Sequence, residues 1–523
     1  MGLAAAHAAG VLLGIDIGTY ESKGALVTPD GEVVAFASRP HELSVPRPGW
    51  AEHDADAVWW QEAVSICREL LRENDVSPEC VSAVCCSGIA PCMLPVDHAG
   101  RPLRTAILYG ADTRATAEIE ELNEDLGADA IFQHSGKHLS SQSLGPKIRW
   151  FARHEPELFE KTAKILTASS YLVYKLTGEA VVDYYTAAAS FEPMFDLEHL
   201  QWSSRFADSI ISRDRLPSLA WSAEVVGYVS GSAARETGLK KGTPVVAGSA
   251  DAASEALSVG ATRPRDLMVM YGSTTFFIEA LERLVTAPEL WGSVFLEPGT
   301  YALAAGMSTT GSITRWLRDS CARDLTGEEF GSDASAYAVL ASEAAQVRPG
   351  SDGLVVLPYF SGERTPISDP LARGVVAGLT LYHGRGHLYR GILEGVAYGV
   401  RHHIDVMDEH GVAPLRIVAA GGGTKNPLWL QIVSDVTGLV QHVPRQQIGA
   451  AYGDAFLAGI GAGLFDRIAD VHQWVTPERE IEPDPDHKGL YDELYAIYRR
   501  LYESTGDEIH QLARLGAAGS TSR

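Results

Sequence analysis

Val11-Leu12-Leu13-Gly14-Ile15-Asp16-Ile17-Gly18-Thr19-Tyr20-Glu21-Ser22-Lys23 opens with a short apolar run of branched residues that stops at a glycine. It reads as a buried strand, Val11–Ile17, running into a turn at Gly18-Thr19. Gly24–Val27 and Glu32–Ser38 flank Thr28-Pro29-Asp30-Gly31, whose residue types favour a tight turn, so the segment continues as a β-meander. Beyond it, Asp54-Ala55-Asp56 offers helix-capping carboxylates, and Trp59, Ala63, Ile66 and Leu70 recur at helical spacing through Glu73. Val81–Cys86 is a second buried strand, stopped by Ser87-Gly88. Strands alternating with helices predict an α/β architecture.

The first turn carries a recognisable chemistry. A carboxylate at a strand end, followed by glycine and a hydroxyl, suits phosphate and Mg²⁺: backbone N–H groups approach the oxygens, Thr19 adds a donor, Asp16 can hold a hydrated cation and Lys23 can offset charge. The same pattern also makes a plain hairpin. The theme returns later, where Leu267–Tyr271 and Phe276–Ala280 flank Gly272-Ser273-Thr274-Thr275. Two such turns predict two related domains that clamp a polyphosphate. Arg416–Ala420, then Gly421-Gly422-Gly423, then an apolar helical run over 428–439 form a strand–loop–helix unit. Three consecutive glycines are costly in chain entropy, which points to close backbone approach by a flat nucleoside; the spacing is neither that of a dinucleotide fingerprint nor of a P-loop. In Gly248-Ser249-Ala250-Asp251, a carboxylate follows a buried strand and precedes small residues that begin a helix. It can accept a proton from a hydroxyl nucleophile, or simply cap the helix.

Composition narrows the partners. The 523 residues carry 43 Lys+Arg against 67 Asp+Glu, a net charge of −24, which disfavours a nucleic-acid scaffold. Six cysteines show no metal-ligand spacing and read as reduced thiols of a cytoplasmic protein. No apolar run approaches the ~18 residues that span a bilayer. Residues 1–10 and 516–523 read as flexible termini. His402-His403, with Asp405 nearby, reads as a solvated helical face rather than a metal site.

Taken together, Asp16-Ile17-Gly18-Thr19, Gly145-Pro146-Lys147-Ile148-Arg149-Trp150, Ser361-Gly362-Glu363-Arg364-Thr365-Pro366 and the glycine loop resemble the FGGY carbohydrate kinase family, with xylulokinase-like members the most similar. The resemblance spans nearly the whole chain. It implies two actin-like, ribonuclease-H-like domains, 11–249 and 250–510, with an ATP and sugar cleft between them. It implies Asp251 as the catalytic base, with Asp16, Gly18, Thr19 and Lys23 as the first phosphate and Mg²⁺ turn. Gly272, Ser273, Thr274 and Thr275 would form the second turn, and Gly311, Arg315, Gly422, Gly423 and Asn426 the nucleotide site. Asp112, Ala90 and Gln142 fall near the sugar, and Asp16 and Asp251 would hold Mg²⁺ largely through water. The implied activity is ATP-dependent phosphorylation of a ketopentose such as xylulose or ribulose, in a possible homodimer. Alternatives are a tetritol, glycerol or gluconate kinase, or a non-kinase actin-like ATPase. The resemblance departs at Ser87-Gly88-Ile89-Ala90-Pro91-Cys92, where xylulokinases carry Gln-Met-His-Gly beside the sugar; Gln142, Leu144 and Gly391 depart too. Retained machinery with an altered sugar wall is the pattern of a changed substrate.

Overall fold

The computed structural model describes residues 10–325 and 333–520; the ends of the expected flexible termini, 1–9 and 521–523, lie outside the described residues. The described chain ends in the helix Lys488–Ser520. The chain forms two compact units. The first holds the chain up to Pro264 together with Ala280–Leu303 and Gln446–Thr476; the second holds Arg265–Glu279, Ala304–Arg445 and the chain from Pro477. Sequence placed the division at 249/250. The helix Asp251–Ser258 stays with the first unit because it packs on the helix Ala450–Gly461, so closely that a Cβ on Gly453 would meet the Ser254 carbonyl at 2.0 Å.

The first unit is built on β1 (Val11–Ile17), β2 (Glu21–Val27), β3 (Val33–Pro40), β4 (Val81–Gly88), β5 (Val225–Tyr228) and β6 (Pro244–Val246), with the short β7 (Ser249–Ala250). The sheet order is β5-β6-β4-β1-β2-β3, and β7 pairs with β4. β1 and β2 are antiparallel, which sets Asp16 opposite Lys23; β1 and β4 are parallel, which sets Asp16 beside Ser87. β1, apolar except for Asp16, is buried along its whole length, as a central strand covered on both faces must be. Trp59 and Trp60, which begin the predicted helical stretch, are buried in the core against this sheet.

The second unit repeats the plan with β8 (Asp266–Tyr271), β9 (Thr275–Leu281), β10 (Tyr301–Met307), β11 (Arg416–Ala420), β12 (Gln441–Pro444) and β13 (Pro477–Ile481). These strands run in the order β10-β9-β8-β11-β12-β13. Again a hairpin's first strand pairs antiparallel with the second and parallel with a later strand. The helix Arg385–Glu409 buries both His402 and His403, contrary to the solvated face expected of them. His403 bonds Gly399 O and Thr365 Oγ1 and stacks on Phe277. Among the described residues no helix is long and apolar enough to cross a membrane.

Candidate functional site

In the first unit the expected residues converge at the carboxyl ends of β1 and β4. Gly18 closes the first turn by donating its N–H to Glu21 O at 3.0 Å, and His41 Nε2 lies 3.2 Å from Gly18 O. The other His41 nitrogen is 3.0 Å from Glu62 Oε2, so the turn is braced from outside. Thr19 Oγ1 is 3.0 Å from the Tyr109 hydroxyl. Lys23 pairs with Glu21 at 3.4 Å.

Asp251 is the first residue of its helix rather than the cap. Its Oδ1 accepts the Ala252 N–H at 2.8 Å, and one edge of the residue remains open. Burial, and then the charge of Asp16, push its carboxyl up to about 7. Asp16 is raised to about 6 by burial, against the opposing charge of Lys23 and a hydrogen bond from Ser87. Glu255, one helical turn after Asp251, is raised to about 7 by burial and then by Asp16. Asp454, completely buried on the helix Ala450–Gly461, is raised further for the same two reasons. The helix reaches that depth because Gly14 on β1 has no side chain: a Cβ there would lie 1.9 Å from Ala451 O.

The Asp16 charge thus raises the proton affinity of Asp251, Glu255 and Asp454 alike. Such a hard-oxygen set suits Mg²⁺, which retains several waters and takes only one or two protein carboxylates directly. Among the described residues no group of three or more His, Cys, Asp or Glu could hold a metal ion directly.

The wall expected beside the sugar divides. Ala90 is partly exposed just beyond β4, where Ile89 donates its N–H to Ile17 O. Gln142 is partly exposed, its Oε1 accepting the Gly110 N–H at 3.0 Å. Asp112 is fully buried, one oxygen accepts the Ala51 N–H at 2.7 Å, and both oxygens bind Arg114. Arg114 continues this network to Glu52 and lies over Trp50. Sequence reasoning also passed over Tyr109 and the role of Lys147, whose buried ammonium donates to the Leu108 and Tyr109 carbonyls. Burial lowers the Lys147 pKa to about 8.

In the second unit, the turn and a helix start form one assembly. Thr310, Gly311 and Ser312 donate their N–H groups to Ser273 O, Gly272 O and Ser273 O at 3.1, 3.0 and 3.1 Å. A Cβ on Gly311 would lie 2.5 Å from Gly272 O, so only glycine allows this approach. Ser273 and Thr274 are exposed, whereas Thr275 is buried and donates to Thr310 Oγ1 at 3.2 Å. Arg315 is exposed on the same helix, Gly311–Cys321. In the glycine loop, Gly421 has φ 85° and packs on the Tyr271 carbonyl, Gly423 packs on Tyr271 and Trp429, and Gly422 faces open space. Asn426 caps the helix Pro427–Thr437 by accepting the Trp429 N–H, and its Nδ2 lies 3.4 Å from the Tyr389 hydroxyl.

Comparison with known proteins places this geometry. Residues 11–258 match the N-terminal domain of the FGGY family of carbohydrate kinases, and residues 267–462 match its C-terminal domain. A xylulose kinase of Escherichia coli K12 is 30% identical over 94% of this chain and 98% of its own length. An autoinducer-2 kinase of E. coli (strain ATCC 8739) is 29% identical over 94% of each chain. The crystal structure of a xylulose kinase from Rhodospirillum rubrum superposes with a TM-score of 0.88 at 35% identity, covering 96% of this chain and all of that one. The paired strand–turn–strand units are thus those of the actin-like, ribonuclease-H-like fold, and the chain is a member of the FGGY family of carbohydrate kinases.

Proposed function

We propose that the chain transfers the γ-phosphoryl group of ATP to a hydroxyl of a small polyhydroxylated acceptor, a ketopentose such as xylulose or ribulose. The observation that carries this reading is Asp251: a partly open carboxyl at a helix start, with a proton affinity near neutrality. A base poised there takes the hydroxyl proton as the nucleophile attacks. The Gly18 and Thr19 turn with Lys23, and the exposed Ser273 and Thr274, are placed in their units to donate to phosphate oxygens, while open Gly422 leaves room for a nucleoside. Asn426 would meet the nucleotide through the edge its capping role leaves free. Mg²⁺ held through water by Asp16 and Asp251 would neutralise phosphate charge. Similarity to both xylulose and autoinducer-2 kinases supports a small hydroxylated acceptor without choosing among them.

The test is ADP release across a panel of pentuloses, tetritols, glycerol and gluconate, with wild type and Asp251→Asn. The variant is expected to lose ~10³-fold in kcat with nucleotide binding retained. Near-normal turnover by Asp251→Asn would remove the base. ATP hydrolysis unchanged by every acceptor would favour the actin-like ATPase instead.

A further inference from the structure

Ser87 lies between two carboxyl groups. Its Oγ is 2.6 Å from Asp454 Oδ2 and 3.1 Å from Asp16 Oδ1, all three residues being buried. A serine hydroxyl has one hydrogen to donate. It can satisfy only one of these oxygens, so the second contact needs a hydrogen from a carboxyl group. Asp454 is the one placed to bring it: it is completely buried and its hydrogen-bond set holds no cation, its Oδ1 receiving the Ser254 hydroxyl at 2.6 Å and the Cys85 thiol at 3.7 Å, both neutral donors. An unpaired carboxylate there would bear the full cost of burial. The hydrogen therefore belongs on Asp454 Oδ2, which donates to Ser87 Oγ, and Ser87 donates in turn to Asp16 Oδ1.

We infer that Asp454 is a positioning residue for Asp16, acting through Ser87 as a neutral hydrogen-bond donor. The relay fixes the direction of the Asp16 carboxylate at the end of β1, next to the first turn. It links a helix more than four hundred residues away in sequence to the group proposed to hold the hydrated cation, and so rests on that reading of Asp16. Asparagine at 454 reproduces the pattern, since its NH₂ can donate to Ser87 while its carbonyl accepts from Ser254. Alanine removes both.

The experiment compares Asp454→Asn, Asp454→Ala, Ser87→Ala and Asp16→Asn by steady-state kinetics, with Mg·ATP and sugar varied separately. Asp454→Ala and Ser87→Ala are expected to raise the KM for Mg·ATP or lower kcat by ~10-fold, the effect typical of losing a partner that orients a metal-site carboxylate, with the sugar KM changed less than about 2-fold. Asp454→Asn is expected to stay within about 3-fold of wild type, a rescue that a requirement for charge would not give. Should Asp454→Ala fail to fold, Ser87→Ala decides by the same readout. Loss in Asp454→Asn equal to that in Asp454→Ala overturns the inference, as does an unchanged Mg·ATP dependence in Ser87→Ala. If Asp16→Asn itself leaves Mg·ATP dependence intact, the Asp16 reading fails and takes the relay with it. If Asp16→Asn disturbs it and the other variants do not, the relay alone fails.

Discussion

The two strand–turn–strand units share a plan and differ in what stands behind the turn. Behind Gly18-Thr19 lie the carboxyls of Asp16, Asp251, Glu255 and Asp454, where the Asp16 charge raises the proton affinity of the other three. Behind Gly272–Thr275 lies a guanidinium, with Arg364 Nη2 donating to Met307 O at 2.8 Å and reaching Thr275 O at 3.4 Å. From outside, the first turn is braced by two separate side chains, His41 and Tyr109. The second is held by a single helix start, Gly311–Cys321, through the backbone N–H groups of Thr310, Gly311 and Ser312 and the hydroxyls of Thr310 and Ser312 together. One local pattern thus stands in two electrostatic surroundings, carboxyls behind one turn and a guanidinium behind the other.

The comparison breaks most sharply at Gly311. A methyl group there must displace the Gly272 carbonyl, which would be 2.5 Å away. Gly311→Ala is expected to cost about 1–3 kcal/mol in urea unfolding, the usual range for overpacking a tight contact. The KM for ATP should rise with it, while the sugar KM stays near wild type. An unchanged unfolding midpoint would mean that the second turn tolerates separation from its helix, and the contrast between a helix-held turn and one braced by separate side chains would go.

How much of this contrast was legible in the sequence follows from where each part resides. Both turns could be read because a strand, a glycine-hydroxyl turn and a second strand are contiguous, and burial of β1 follows from its apolar run. The glycine loop was readable for the same reason. Of the acids behind the first turn, Asp16 and Asp251 were named from the resemblance, whereas Glu255 and Asp454 were not, since Asp454 comes to β1 only where the helix Ala450–Gly461 packs onto it at Gly14. No spacing in the chain reports that contact. At Asp112 the sequence displays a carboxylate but not its bonding to the Arg114 guanidinium, which only the folded chain reveals. His402-His403 looked polar and is buried, because the 25-residue helix that carries it is enclosed along most of its length.

A second effect concerns pH. A base must be ionised to act, and the Asp251 carboxyl titrates near 7, so kcat/KM should fall as pH drops through that value. Asp16 contributes to the rise through its negative charge. In Asp16→Asn that charge is gone, and the acid limb of whatever activity remains should move to lower pH. A pH–rate profile of the two proteins measures this directly. An acid limb at the same pH in both would show that the two carboxyls do not sense each other, and the first turn would lose the electrostatic character that separates it from the second.

The smallest expected effect falls on the side-chain brace. Tyr109 reaches Thr19 by a single hydroxyl contact of 3.0 Å, and its backbone is already fixed by Lys147. Tyr109→Phe removes that contact while keeping the ring, so the loss should approach that of one ordinary hydrogen bond, about 0.5–1.5 kcal/mol. In kinetic terms this is a rise of roughly 2- to 10-fold in the KM for ATP. Thr275→Val in the second unit is the matched control, since Thr275 is buried and bonds Thr310 inside the turn–helix assembly rather than facing a ligand. It should lower the unfolding midpoint more than it alters nucleotide kinetics. If the two substitutions instead affect stability and KM in the same proportion, the first turn is no more adjustable than the second, because the Tyr109 hydroxyl would then be as much a structural bond as the Thr275–Thr310 pair.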